Sequence, residues 1–249
     1  MIKTILLFTY VGATMVFLIP LGIIIVLLGL LGFRKPMTAL LRNLETGWGR
    51  VLISLVGCKV TVSGRENIPR EGGVCFVSNH GSIFDIVLLL AYSGRVIGFV
   101  AKKELMFIPF LNLWILLLGG QFIDRENPRQ AIKIFNKGVE TIKAGGTMII
   151  FPEGHRSRGQ GLLPFHPGSL KLATQAEAVI VPVALDGTYE IFEKNNRVIA
   201  SPVKITFCKP INTLDIPAAD RKQVLSDQIY GIIKDALINA PAETGLEFT

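Results

Sequence analysis

Apolar residues run without a charged break from Thr4 to Phe33, between Lys3 and the pair Arg34-Lys35. A bilayer core needs roughly 20 apolar residues in a helix, so this run is long enough to span one. It exceeds a signal-peptide core and shows no small-x-small cleavage site. Ile19-Pro20-Leu21-Gly22 interrupts it, which leaves a kinked span, a re-entrant hairpin and a buried core helix as readings. From Thr38 to Val56, Leu40, Leu41, Leu44, Trp48, Leu52 and Leu55 interleave with Arg42 and Arg50. That pattern predicts an amphipathic helix, lying along a membrane or packed on the anchor or on the next domain.

Beyond Gly57 the pattern changes to short apolar runs separated by helical periods. Lys59 to Ser63, Gly73 to Ser78, Val96 to Ala101, Thr147 to Phe151, Val179 to Leu185 and Val203 to Cys208 predict strands. Ile86 to Leu90 predicts a helix. Pro128 to Ala144 predicts another, with Ala131, Ile134, Phe135, Val139 and Ile142 on one face and Gly145-Gly146 as its stop. Arg221 to Ile238 predicts a further amphipathic helix. Phe107 to Leu118 is strongly apolar but short for a span, and reads as a buried helix, a membrane-facing one or core. This alternation predicts an α/β fold: a mixed, mostly parallel sheet flanked by helices. The expected organisation is membrane-anchoring helices over residues 1–57, an α/β domain over 58–240 and a frayed tail over 241–249.

Composition narrows the partners. Half of the residues are hydrophobic and the mean hydropathy is +0.48, high for a soluble enzyme. The net charge of +7 suits an anionic membrane surface or anionic substrates. No nucleic-acid module is visible, so nucleic acid is not an expected partner. Cys58, Cys75 and Cys208 lie scattered in apolar runs and read as reduced core thiols. Arg34, Lys35, Arg42 and Arg50 follow the apolar run, against Lys3 and the amino terminus before it, which predicts that the bulk of the chain is cytoplasmic.

Candidate chemistry collects where strands end, the edge at which open α/β sheets bind ligands. Asn79-His80-Gly81-Ser82-Ile83-Phe84-Asp85 follows the strand run Val74 to Val77. An aspartate five positions after the histidine can accept the Nδ1 proton and leave Nε2 as a base toward a hydroxyl. A loop histidine with a capping aspartate is the plainer reading. Gly119 to Arg125 places Arg125 after a short strand, Phe151 to Ser157 places Glu153, Gly154 and Arg156 after another, and Ala101-Lys102-Lys103 follows a third. Two arginines from different strand ends suit a bidentate phosphate clamp; singly, these residues read as solvated charges.

Together, Asn79-His80 through Asp85, Gly119 through Arg125, Phe151 through Ser157 and Val181-Pro182-Val183 resemble the four ordered motifs of the glycerolipid acyltransferases. The subgroup most resembled is the bacterial 1-acylglycerol-3-phosphate acyltransferases. The resemblance covers roughly residues 58 to 210, with a hydrophobic N-terminal segment common in the family. It implies that His80 is the general base and Asp85 its orienting partner. It also implies that Glu153, Gly154 and Arg156 bind the acceptor phosphate, helped by Arg125, with Lys102 as a further contact. His155 departs from the threonine more frequent there. His166 matches no motif and reads as structural.

The implied reaction moves a fatty acyl group from acyl-CoA or acyl carrier protein to the sn-2 hydroxyl of lysophosphatidic acid. It needs no cofactor and no metal, and belongs at the cytoplasmic side of the cell inner membrane, among anionic lipids. Backbone amides around Gly81-Ser82 or near Gly154 are the candidate oxyanion donors. Glycerol-3-phosphate and a lyso-ornithine lipid remain alternative acceptors. From other classes, a metal-dependent hydrolase using His80, Asp85, Glu153, His155 and His166 stays open, although no His-x-x-x-His pattern is present. So does a non-enzymatic lipid-binding protein.

Overall fold

Pro20 decides the shape of the N-terminus. A proline ring clashes with the carbonyl four residues earlier and has no N–H to donate, so a helix does not run through it unbroken. The structure is a computed structural model and describes residues 1–124, 127–166, 168–217, 224–238 and 246–248. Helix α1 (Ile2–Phe17) stops at Leu18, and α2 (Ile19–Leu30) begins with Pro20 in its first turn, bent by 46°. Among the described residues no single helix is long and apolar enough to cross a membrane; α1 and α2 together have the length and composition.

Helix α3 (Arg34–Val56) returns along both and ends at Gly57, whose φ of +75° needs a residue without a Cβ. Trp48 Nε1 donates to Thr14 Oγ1 at 3.0 Å, and Lys3 Nζ donates to the Val56 carbonyl at 2.6 Å. Thr4 Oγ1 accepts the Val198 N–H at 2.9 Å, and Leu7 is buried in the core of the following domain. These contacts cross the boundary expected at residue 57.

The alternating part runs β1 (Val60–Ser63), β2 (Val74–Ser78), α4 (Phe84–Tyr92), β3 (Ile97–Gly98), β4 (Val100–Lys102), α5 (Leu111–Leu117), β5 (Gln121–Ile123) and α6 (Pro128–Lys143). It continues through β6 (Thr147–Ile150), α7 (Lys171–Gln175), β7 (Val179–Asp186), α8 (Thr188–Ile191), β8 (Val203–Phe207), β9 (Ile211–Asn212), α9 (Val224–Ile238) and β10 (Leu246–Phe248). The main sheet is ordered β10-β1-β8-β7-β2-β6-β3, with β9 also on β7. Pairs β1–β8, β7–β2, β2–β6 and β6–β3 are parallel; β7–β8, β7–β9 and β1–β10 are antiparallel. The mixed, mostly parallel α/β sheet is as expected.

Strand side chains alternate faces, and both faces are covered. Val74 and Phe76 of β2 with Val181 and Val183 of β7 join the core under α3 and α4. Cys75 and Val77 with Ile180 and Ala184 join the core that includes residues of α7 and α9. Burial on both sides is why these strands read as unbroken apolar runs. Burial also pushes the thiols of Cys58, Cys75 and Cys208 up, the last to about 11; Cys58 and Cys75 lie in the two cores, while Cys208 is half-buried outside them.

Three segments are resolved beyond what the pattern showed. Val96 to Ala101 is not one strand: β3 joins the main sheet while β4 pairs with β5 in a separate two-stranded sheet. Gly98 permits the crossing, since a Cβ there would lie 2.6 Å from Met148 Sδ and 2.9 Å from the Gly119 carbonyl. Phe107 to Leu118 divides between a 3-10 turn and α5, with Phe107, Leu113 and Leu116 exposed and only Ile115 of α5 buried. The tail returns, with Leu246 to Phe248 pairing antiparallel to Val60–Val62.

Candidate active site

Strands β2, β6 and β7 run parallel, so their C-terminal ends open on one edge. The loop after β2 is anchored first. The Asn79 side chain donates to the Leu185 carbonyl and accepts the Leu185 N–H, each at 2.8 Å, extending the β2–β7 ladder by one residue. His80 then turns out over the edge. Its ring stacks on Phe151 at 4.0 Å between centroids and 20° between planes, and its carbonyl accepts the Ser157 N–H at 2.7 Å.

Asp85 sits in the first turn of α4 and is fully buried. Its Oδ2 lies 2.7 Å from His80 Nδ1 and accepts the N–H groups of Gly81 at 2.8 Å and Ser82 at 2.9 Å. An oxygen already accepting two N–H groups acts as acceptor toward the ring too, which assigns the proton to Nδ1 and leaves Nε2 as a base. Oδ1 is buried without a partner among the described residues, so the ring shares the carboxylate only with those two amides.

Glu153 follows β6 and is 1% exposed. Its Oε1 accepts the His80 N–H at 2.8 Å and its Oε2 the Leu163 N–H at 3.3 Å. Burial holds its carboxyl above the ordinary range, partly offset by those two bonds. Through these two bonds Glu153 shapes the histidine loop from beneath, and it is not among the residues that line the cavity beside it. Gly154 and Arg156 do face the site, and with His80, Lys102, Phe135 and Leu172 they line one cavity of about 1220 Å³. Gly154 has φ +73°, and a Cβ on it would lie 2.8 Å from His166 Cδ2, so His166 packs on this turn. Lys103, beside Lys102, pairs with Asp124 at 2.9 Å. Arg125 lies outside the described residues. Among those described, no group of three His, Cys, Asp or Glu side chains is placed to hold a metal ion.

Glu193, two residues after α8, completes the constellation, and no sequence signal marks it. Oε2 accepts the Ser82 hydroxyl at 2.6 Å; Oε1 accepts the Ile83 N–H at 2.8 Å and Arg156 Nη1 at 2.9 Å. The amides of His80, Gly81, Ser82 and Ile83 are thus all engaged by Glu153, Asp85 and Glu193. Gly81 and Ser82 are not available as the oxyanion donors that the sequence allowed.

A base held by a buried carboxylate, beside an arginine at a parallel-sheet edge, can take a proton from a hydroxyl next to a bound anion. A family model described as Acyltransferase matches residues 59–186. The chain belongs to the acyltransferase family. Relatives named 1-acyl-sn-glycerol-3-phosphate acyltransferase include one from Cocos nucifera, 34% identical over 169 residues (67% of this chain, 54% of the relative). Another from Borreliella burgdorferi is 33% identical over 146 residues (59% and 58%). The alpha form from Homo sapiens is 31% identical over 176 residues (67% and 62%). The chain thus spans 54% to 62% of the length of these relatives. The fold matches the crystal structure of the 1-acyl-sn-glycerophosphate (LPA) acyltransferase PlsC from Thermotoga maritima, with a TM-score of 0.83, 24% identity and coverage of 98% and 97%.

Proposed function

We propose that this acyltransferase transfers a fatty acyl group from a thioester donor, acyl-CoA or acyl carrier protein, to the sn-2 hydroxyl of lysophosphatidic acid. The observation that carries the reading is the His80–Asp85 pair at 2.7 Å, with His80 in the wall of a cavity that also presents Arg156 and Lys102. His80 Nε2 takes the hydroxyl proton as the oxygen attacks the thioester carbonyl. The tetrahedral intermediate collapses with release of the thiolate, and the imidazolium returns its proton to sulfur. Asp85 steadies the imidazolium throughout. Arg156 and Lys102 hold the phosphate, which fixes the hydroxyl against Nε2 and turns an encounter into a positioned reaction.

The exposed apolar N-terminus supports membrane association. Phe17, Leu30 and Leu31 are 82%, 78% and 70% exposed, and Ile2, Ile5, Leu6, Ile23 and Leu27 are exposed with them. Lys3 and Thr4 are tied to Val56 and Val198, so the start of α1 stays on the domain. This favours helices lying in one leaflet over a full span. The charge bias supports a position on the cytoplasmic face of the inner membrane.

The test is transfer of labelled acyl groups from acyl-CoA, and in parallel from acyl carrier protein, to lysophosphatidic acid, glycerol-3-phosphate and lyso-ornithine lipid. Phosphatidic acid formed by wild type and lost in His80→Ala is the expected result. Product on another acceptor alone would move the substrate assignment, and no transfer to any would overturn it.

A further inference from the structure

Glu193 places a buried carboxylate against the arginine assigned to phosphate, an unusual neighbour for an anion site. Its side chain is 9% exposed and joins two loops: Ser82 and Ile83 on the histidine side, Arg156 on the other. Among the described residues the guanidinium makes one hydrogen bond, through Nη1, so Nη2 and Nε stay available to a ligand in the cavity. Glu193 is itself held by its neighbour Phe192, which packs on the core and meets Phe8 of α1 edge-on at 5.7 Å.

We propose that Glu193 is a positioning residue for acyl transfer: it fixes the Arg156 fork at the distance from His80 at which a bound phosphate presents its hydroxyl to Nε2. The proposal rests on the acyl-transfer reading above. A planar guanidinium held at one nitrogen keeps its other edge pre-oriented, so less freedom is lost when phosphate binds. Charge alone predicts the opposite effect, because a carboxylate at Arg156 weakens the pull on an anion. The sign of the change in acceptor KM separates the two.

The experiment measures KM for lysophosphatidic acid and for acyl-CoA in wild type, Glu193→Ala, Glu193→Asp and Glu193→Gln, each also with Arg156→Ala. Wild-type turnover tests the acyl-transfer reading independently, before any variant is compared. Loss of charge-assisted hydrogen bonds should raise the acceptor KM in Glu193→Ala by about 10- to 100-fold, with the donor KM within about twofold. In the Arg156→Ala background the same change should leave the acceptor KM nearly unmoved, because coupled residues do not add. Glu193→Asp keeps the charge but falls one methylene short, should raise the same KM about threefold or more, and carries the test if alanine does not fold. Glu193→Gln keeps an oxygen for Ile83 and Arg156, and should recover to within about fivefold of wild type. An acceptor KM unchanged or lowered in the folded alanine variant would overturn the proposal. So would a rise of equal size without Arg156, or a glutamine variant as impaired as alanine.

Discussion

Oδ2 of Asp85 serves three N–H groups at once, and this makes the loss of Asp85 differ from the loss of His80. His80→Ala removes a ring from the cavity wall; kcat should fall by about 10² to 10⁴ with thermal unfolding close to wild type. Asp85→Asn disturbs the Gly81 and Ser82 amides as well, so both kcat and stability should fall, the latter by about 1–3 kcal/mol. Equal melting temperatures in the two variants would contradict that division. Glu45 in α3 makes a separate prediction. It is 4% exposed beside an apolar cavity of about 60 Å³ lined by Leu41, Trp48 and Trp114, and among the described residues neither oxygen has a partner within hydrogen-bond geometry. Burial raises its carboxyl from 4.5 to about 9, which Arg42 and the Ile97 amide only partly offset. The folded state therefore holds a proton that the unfolded state releases above its ordinary value. Stability should fall as pH rises from 4.5 towards 9, and Glu45→Gln should flatten that fall. Melting curves should show the variant more stable at pH 8 and alike at pH 4; the same difference at both would remove the explanation. The His80–Asp85 pair was legible because five residues of local chain bring it together. Glu193 was not, since it meets Ser82 from 111 positions away and only the packing of α8 brings it there.

At the scale of elements, the sequence showed most strands because each is buried on both faces and reads as an uninterrupted apolar run. It failed where tertiary contact overrides local pattern. The break between β3 and β4 depends on Gly98 passing close to Met148 and Gly119, a contact with residues far along the chain. Helix α1 carried the larger ambiguity, because an apolar run reads alike whether it meets lipid or protein. The structure divides it: Leu7 is buried in the domain core while Ile5 and Leu6 are exposed. Removing residues 1–33 should thus do more than free the domain from membranes. It strips Leu7, and with Lys3 and Thr4 the ties to Val56 and Val198. Leu7→Ala alone should cost about 2–4 kcal/mol, and the deletion should yield a poorly folded chain. A deletion variant with a sharp, undiminished unfolding transition would show α1 to be a detachable anchor instead.

For the whole molecule, two surface properties act together: an apolar face over α1 and α2, and a net charge of +7. In the proposed membrane association the charge contributes an attraction to anionic lipid that weakens with salt, since screening shortens its reach to about 8 Å near physiological ionic strength. The apolar face is salt-insensitive and contributes in proportion to the area it buries. Fully burying one large apolar side chain is worth roughly 1.5–3 kcal/mol, so three nearly bare ones outweigh several surface charges even if each inserts only in part. Phe17 and Leu30, at 82% and 78%, are the most exposed large apolar side chains among the described residues, and Leu31, at 70%, follows Leu30 directly. Replacing all three by serine should weaken binding to vesicles containing anionic lipid by about a hundredfold, with the unfolding transition unchanged. Raising the salt to about 0.5 M should weaken wild-type binding far less than that substitution does. Vesicle flotation across a lipid titration reads both effects. If the triple variant floats as well as wild type while salt alone releases the protein, the association is electrostatic and the leaflet-embedded helices are not its basis.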